Sequence, residues 1–244
     1  MSDKPTAHKA LIAPLRAAMV DFEEDPVRGA LAALLVPDAP VRLSEPIGEM
    51  AGPDDFYRKA YAPLLDAWPD LERRDTIVIA GTDEFGIEWV GCGGCYVGTF
   101  EGPWLSIPPT GRLVSMRFHE FFRMENGRVT EIQALWDIPE VMMQADAWPL
   151  APSLGREWQV PGPMTQDGIV PGPYDEEKSR KSREVIVEML THMKRHPASP
   201  PEAMEMPRFW HPRMSWYGPA GIGTARGIKG FRHIHQIPFL NGMP

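Results

Sequence analysis

One change of period divides the N-terminal two thirds of this 244-residue chain. Up to about residue 70 the apolar residues recur at helical spacing; from there to about residue 136 they alternate as in strands. Leu11, Ile12, Leu15, Ala18 and Met19 mark a first helix within Ala7–Phe22. Asp25-Pro26 restarts the chain with a capping residue and a proline at the first helical position, and the helix runs through Leu35 to stop before Pro37. A third helix from Pro53 carries Phe56, Tyr57, Ala60, Tyr61, Leu64 and Leu65 to Trp68-Pro69. Thr76–Ala80, Ile87–Val97, Leu113–Met124 and Val129–Trp136 are then rich in β-branched and aromatic residues between Gly or Pro turns. Asn126-Gly127 joins the last two, and Asn-Gly suits a type I′ hairpin turn. Helices followed by an antiparallel meander predict an α+β domain.

The 27 prolines are not spread evenly. Pro149 to Pro173 holds six of them and repeats one tetrapeptide, Val160-Pro161-Gly162-Pro163 and Val170-Pro171-Gly172-Pro173. Proline fixes φ and bars its predecessor from helix, so this stretch reads as an extended linker or a surface-hugging connector. Past it, a 175-residue shift aligns Ile47 through Pro69 with Ile222 through Pro244 without a gap. Seven of the 23 positions are identical: Ile47/Ile222, Gly48/Gly223, Gly52/Gly227, Phe56/Phe231, Pro63/Pro238, Leu65/Leu240 and Pro69/Pro244. Gly and Pro mark turns and helix ends, so their coincidence predicts one backbone course used twice. Three segments follow: a complete domain over residues 1–150, a Pro/Gly-rich linker over 151–173, and the helical half of a second copy over 174–244.

Charge and composition narrow the function classes. A net charge of −8 argues against a nucleic-acid partner, which needs a Lys/Arg excess. No run approaches the ~20 apolar residues of a membrane span, and the N-terminus lacks the apolar core of a secretory signal. With two cysteines and no such signal the expected compartment is the cytoplasm.

Several segments, in order and at the right spacing, resemble the SnoaL-like polyketide (ester) cyclase family of the nuclear-transport-factor-2-like type. They are Gly98-Thr99-x-x-Gly102, Ile107-Pro108-Pro109-Thr110-Gly111-Arg112, Phe122-Arg123-Met124-Glu125-Asn126-Gly127-Arg128-Val129, and Trp136-Asp137 with an apolar tail ending at Gln144. Two positions differ from the common family pattern: Glu131-Ile132-Gln133 stands where Glu-His-Trp is frequent, and Phe100 where His is. The resemblance covers residues 8 to 150, and 175 to 244 match the helical half again. It implies a cone of helices on a curved antiparallel sheet, a small-molecule substrate, no cofactor, no metal and a homodimer. It also implies that Asp137 is the general acid/base on a ketone or ester enolate; equally, Asp137 stands where it would simply cap a helix.

A two-residue loop at Asn126-Gly127 sets a register in which Glu120 faces Gln133 and Met116 faces Asp137. Strict alternation then puts Met116, Phe118, Glu120, Phe122, Glu131, Gln133, Leu135 and Asp137 on one face, a mixture of aromatics and carboxylates suited to a tuned pocket. A one-residue slip exchanges the two faces. Catalytic candidates are Asp137, Glu120 and His119; substrate-binding candidates are Gln133, Glu131, Phe118, Phe122, Leu135 and Trp104. Cys92-x-x-Cys95 lies in a strand with its thiols on opposite faces, so it reads as ordinary buried thiols rather than a redox pair or zinc site. His192 and His196, near a helix end, lack a carboxylate to complete a metal set, and Gly221-x-Gly223 lacks the strand a dinucleotide loop follows. The function expected is cofactor-free acid/base chemistry at a carbonyl compound, such as aldol cyclisation, isomerisation or hydration. The alternative is a ligand-binding or assembly module that uses the same fold without turnover.

Overall fold

Helix α1, Lys4–Ala18, begins where Asp3 can cap it: its carboxylate accepts from the Thr6 N–H at 3.1 Å. Helix α2, Glu24–Leu34, has Glu24 and Asp25 in its first turn, where the helix dipole favours negative charge, and buries Val27, Leu31 and Leu34. The computed structural model describes residues 3–157 and 162–242. The chain forms two units, Met1–Ala151 with Pro161–Pro173, and Pro152–Val160 with Tyr174–Pro244.

In the first unit two short strands follow α2, β1 (Pro40–Arg42) and β2 (Glu49–Ala51). Helix α3 then runs in three parts, Gly52–Phe56, a π-helical turn Tyr57–Tyr61, and Ala62–Ala67. It turns Phe56, Tyr57, Ala60, Tyr61 and Leu64 into the core. Four longer strands complete the sheet: β3 (Glu72–Thr82), β4 (Glu88–Thr99), β5 (Leu113–Glu125) and β6 (Arg128–Trp136), after which comes α4 (Ile138–Gln144). The order is β2-β1-β6-β5-β4-β3. All pairings are antiparallel except β1 with β6, where Val41 lies beside Ile132 in parallel. The sheet is therefore mixed, not purely antiparallel as the meander alone suggested. The pattern reading missed β1 and β2, three residues each and too short to show a period.

Asn126 and Gly127 both adopt positive φ, 49° and 74°, and Glu125 pairs with Arg128 as the hairpin signal predicts. The register then shifts by one. Met124 pairs with Val129 but Arg123 pairs with Glu131, leaving Thr130 as the extra residue of a β-bulge. From there on every β6 side chain lies on the face opposite to the one strict alternation assigned. A second bulge at Thr76 interrupts β3 against β4. Gly94 lies against it, where a Cβ would stand 2.1 Å from the Arg74 carbonyl oxygen.

The second unit reproduces bounds found in the first, each displaced by 175 residues. Strands β7 (Ser215–Tyr217) and β8 (Thr224–Arg226) pair antiparallel with Trp216 opposite Ala225, as Val41 is opposite Met50. The helix that follows has the same three parts, Gly227–Phe231, a π-helical turn Arg232–Gln236, and Ile237–Gly242. Gly52 and Gly227 open these helices at positive φ; added Cβ atoms would meet the Pro37 and Pro212 carbonyl oxygens at 2.1 and 2.9 Å. Ahead of them Asp175 caps the long helix Glu176–Met193, donated to by Lys178 N–H at 2.8 Å. Met204, Met206 and Phe231 form a small core joined by Trp210 and Trp216. Arg156 bridges to Thr224 within this unit, whereas Ile169 bridges to Val78 in the first. Val160 and Pro161 of the first Val-Pro-Gly-Pro, and Pro244 as counterpart of Pro69, lie outside the described residues.

Candidate active site

Along β5, alternation turns Met116, Phe118, Glu120 and Phe122 toward the helices, and all four are buried. The partners on the same face are Ile132, Ala134 and Trp136 of β6 and Val90, Cys92 and Tyr96 of β4. Glu120, 1% exposed, is the carboxylate that β5 sends into this interior. It accepts from Arg73 Nη1 at 2.6 Å, the Tyr96 hydroxyl at 2.9 Å and Trp136 Nε1 at 3.0 Å. Tyr61 joins through its hydroxyl, 3.2 Å from that of Tyr96. Arg73 lies over the Phe118 ring at 4.2 Å and also pairs with Asp75 at 3.0 Å. Asp75 in turn pairs with Arg16 of α1 at 2.8 Å. The result is a continuous chain of charges, Glu120–Arg73–Asp75–Arg16, from the buried sheet face to a solvent-open groove.

Burial, reinforced by the Glu120 carboxylate, pushes the phenols of Tyr61 and Tyr96 well above their ordinary value, so both remain protonated donors. Burial alone would lower Arg73, but Glu120, Tyr96 and Asp75 more than offset it and hold the guanidinium well above its usual value. Cys92, opposite Glu120 on β4, has its thiol pushed up to about 12 by burial, which keeps it out of nucleophilic chemistry.

The groove at the outer end of this chain has a volume of about 620 Å³ and is lined by α1 residues, Glu72–Asp75 and Ile169. The segment that brings Ile169 there is docked on β3, where the Val78 N–H donates to the Gly168 carbonyl at 2.7 Å.

The bulge at Thr130 sorts the remaining candidates. Phe118 and Phe122 stand in the interior with Glu120, whereas Glu131, Gln133 and Leu135 lie on the opposite face of the sheet, beside Arg117, His119 and Phe121. The expected pairing of Glu120 with Gln133 is thereby corrected: Glu120 faces Ala134, and Phe121 faces Gln133. Glu131 is bound by Arg42, Gln133 and Arg123. Its carboxyl is held low by the Gln133 hydrogen bond first and by the arginines besides. Asp137 occupies the N-cap position of α4, its backbone N–H donating to the Arg117 carbonyl at 2.8 Å; no side-chain capping bond forms. Asp137 is half-buried there, close enough to His119 and Glu140 to act on both electrostatically. Burial and Arg117 push the His119 imidazole down, so it is neutral at physiological pH. Trp104 is buried against Trp68, whose ring lies 6.3 Å away, and Phe100 is the third member of that cluster. His192 in the second unit sits 2.9 Å from Arg195 Nη2, with its ring against Phe209. Sequence reading found Glu120 but missed Arg73, Asp75, Tyr96 and Arg16. Arg73 and Asp75 lie two apart in Glu72-Arg73-Arg74-Asp75, so extending β3 back to Glu72 would have placed both on one face.

The family model for SnoaL-like polyketide cyclases matches residues 19–145. The chain belongs to this family. The α+β fold, with helices on a curved mixed sheet, is the nuclear-transport-factor-2-like fold of SnoaL-like cyclases. Among solved structures, a candidate SnoaL-like polyketide cyclase from Jannaschia sp. CCS1 is 22% identical, with TM-score 0.49, covering 62% of this chain and 98% of its own. AclR from Streptomyces galilaeus, a candidate hydroxylase, is 21% identical, with TM-score 0.48, covering 60% and 90%. IdmH from Streptomyces antibioticus, a candidate polyketide cyclase, is 20% identical, with TM-score 0.44, covering 56% and 95%. No curated protein matches. Among the described residues no helix is long and apolar enough to cross a membrane.

Proposed function

We propose that the first unit is a small-molecule enzyme that performs acid/base chemistry at a carbonyl compound, with Glu120 as the proton-transferring group. The observation that carries this is a fully buried carboxylate, aimed into the fold's interior and met by Arg73, Tyr96 and Trp136. Removing two charges from water costs several kcal/mol per ion and is seldom repaid in stability alone. Such constellations concentrate where chemistry needs them. In the step proposed, the carboxylate takes a proton from the carbon next to the carbonyl, and the C–H electrons move onto the carbonyl oxygen. Arg73 matches that negative charge and the Tyr96 hydroxyl donates to it. The nucleophilic carbon can then close a ring onto a second carbonyl, and the proton returns from Glu120 to the new alkoxide. No step draws on a cofactor. Asp137, on this reading, orients the start of α4 rather than taking the proton.

A second reading, a binding module without turnover, is favoured by the rings themselves. Tyr61, Tyr96, Phe118 and Trp136 lie 4.9 to 6.2 Å apart and fill the space next to Glu120. An aromatic ketone bearing an ester side chain, monitored by the absorbance change on ring closure, separates the two. Turnover by the wild type that is lost in Glu120→Gln supports the enzyme; saturable binding with no turnover supports the module.

We also propose that residues 174–244 are the helical half of a second SnoaL-like domain. The support is the 175-residue recurrence of a strand pair, a positive-φ glycine and a π-interrupted helix. Ile12, Leu15 and Leu64 are buried in the first unit, while their counterparts Val187, Leu190 and Phe239 are about half exposed. A cytoplasmic homodimer remains part of the proposal; size-exclusion chromatography with light scattering reads its mass.

A further inference from the structure

We infer that the groove between α1 and β3 is a binding site for a small organic carboxylate with an apolar body, recognised by the guanidinium of Arg16. Two cavities meet at this residue. One, of about 620 Å³, is the polar groove already described; the other, of about 470 Å³, lies on the far side of Ile169 and is walled by Ala10, Val78, Val170 and Pro171. Ala13, Arg16 and Ile169 line both. Each space is of the size that suits a small ligand, since such sites commonly span 300–1,000 Å³ and join apolar walls to a few placed polar groups.

Arg16 supplies the polar group. Its Nε donates to Asp75 Oδ2 at 2.8 Å, which fixes the side chain in place. That bond leaves the two terminal nitrogens, a pair of parallel donors matched to a carboxylate, without a hydrogen-bond partner among the described residues. The side chain is 19% exposed, so the fork is held by the fold yet open to the groove. Arg73, its neighbour in the wall, is committed to Glu120 and Asp75 through every nitrogen. Lys9, at the other end of the apolar compartment, donates to the Val170 carbonyl at 2.9 Å and ties down the segment that forms the roof. A carboxylate at Arg16 would therefore place its apolar body under Ile169 and Val170. The site stands whether or not Glu120 transfers protons.

The test uses 2-naphthoate and its neutral isostere 2-naphthamide, titrated into the full chain by calorimetry. The wild type is expected to bind the carboxylate at least tenfold more tightly than the amide. Arg16→Gln should erase that preference and leave amide binding unchanged, and Arg16→Lys, which keeps charge but not the fork, should restore only part of it. Ile169→Gly should weaken both probes alike. Glu120→Gln, which bears on turnover, should leave the preference intact. Equal binding of the two probes by the wild type, no binding of either, or an undiminished preference in Arg16→Gln overturns the inference. Loss of turnover in Glu120→Gln would stand apart from any of these results.

Discussion

Replacing Glu120 by Gln tests how the buried ion pair is held. Both side chains of the Glu120–Arg73 pair are 1% exposed, and the charged atoms lie 2.6 Å apart. Removing one member of a buried pair costs about 3–5 kcal/mol, because the other charge is left without its partner. Here Arg73 keeps Asp75 at 3.0 Å, but a Gln carbonyl that accepts from Tyr96 and Trp136 turns its NH2 donor against Arg73 Nη1, so the upper end applies, about 5 kcal/mol. Arg73→Met alone should cost a similar amount, since it strands both Glu120 and one side of Asp75. In the double variant neither charge is stranded, and the two losses should overlap by about 2 kcal/mol. Urea unfolding by tryptophan fluorescence, with near-UV circular dichroism to confirm native packing, measures all four corners of the cycle. Additivity to within about 0.5 kcal/mol would refute the coupling.

The helix that follows the sheet offers a pH test. Glu140 Oε2 accepts from the Arg117 N–H at 2.7 Å and burial raises its carboxyl to about 7 from 4.5. A carboxyl raised on folding is protonated in the native state while already ionised in the unfolded one, so stability falls as pH rises through this window. The full effect is about 3 kcal/mol, present below 4.5 and gone above 7. Glu140→Gln should flatten the slope of unfolding free energy between pH 5 and 7.5, and an unchanged slope would assign it to another group. Deleting Thr130 removes the bulge residue and joins Val129 directly to Glu131, which keeps Glu131 opposite Arg123 and Gln133 opposite Phe121, so this variant should stay soluble with native circular dichroism. A deletion variant that enters inclusion bodies would contradict the bulged register, because losing a regular ladder residue is what turns every later side chain to the other face.

How far the sequence reached is clearest in the hairpin. Asn126-Gly127 encodes its own turn through the positive φ of both residues, and Glu125 opposite Arg128 follows from that alone. Nothing in Val129-Thr130-Glu131 marks a bulge, because a β-branched residue serves equally in a regular strand. Strict alternation therefore carried Gln133, Glu131 and Leu135 to the wrong face, while Phe118, Glu120 and Phe122, on the unbulged strand, were placed correctly. Arg73 and Asp75 were hidden for a different reason. Four charged residues in a row carry no apolar alternation, and only the arrival of Glu120 from 47 residues away makes Arg73 a buried partner. The family segments were legible since each turn and strand carries its own local signal.

Side-by-side turnover of Glu120→Gln and Asp137→Asn on the aromatic ketone-ester bears most directly on where the proton is transferred. Both variants are first checked for native circular dichroism, and Glu120→Asp is included to retain a carboxylate. Loss of turnover by at least a hundredfold in Glu120→Gln, partial recovery in Glu120→Asp and near-wild-type rates in Asp137→Asn are the expected results. Turnover that survives in Glu120→Gln but disappears in Asp137→Asn would contradict the account and move the chemistry to the start of α4.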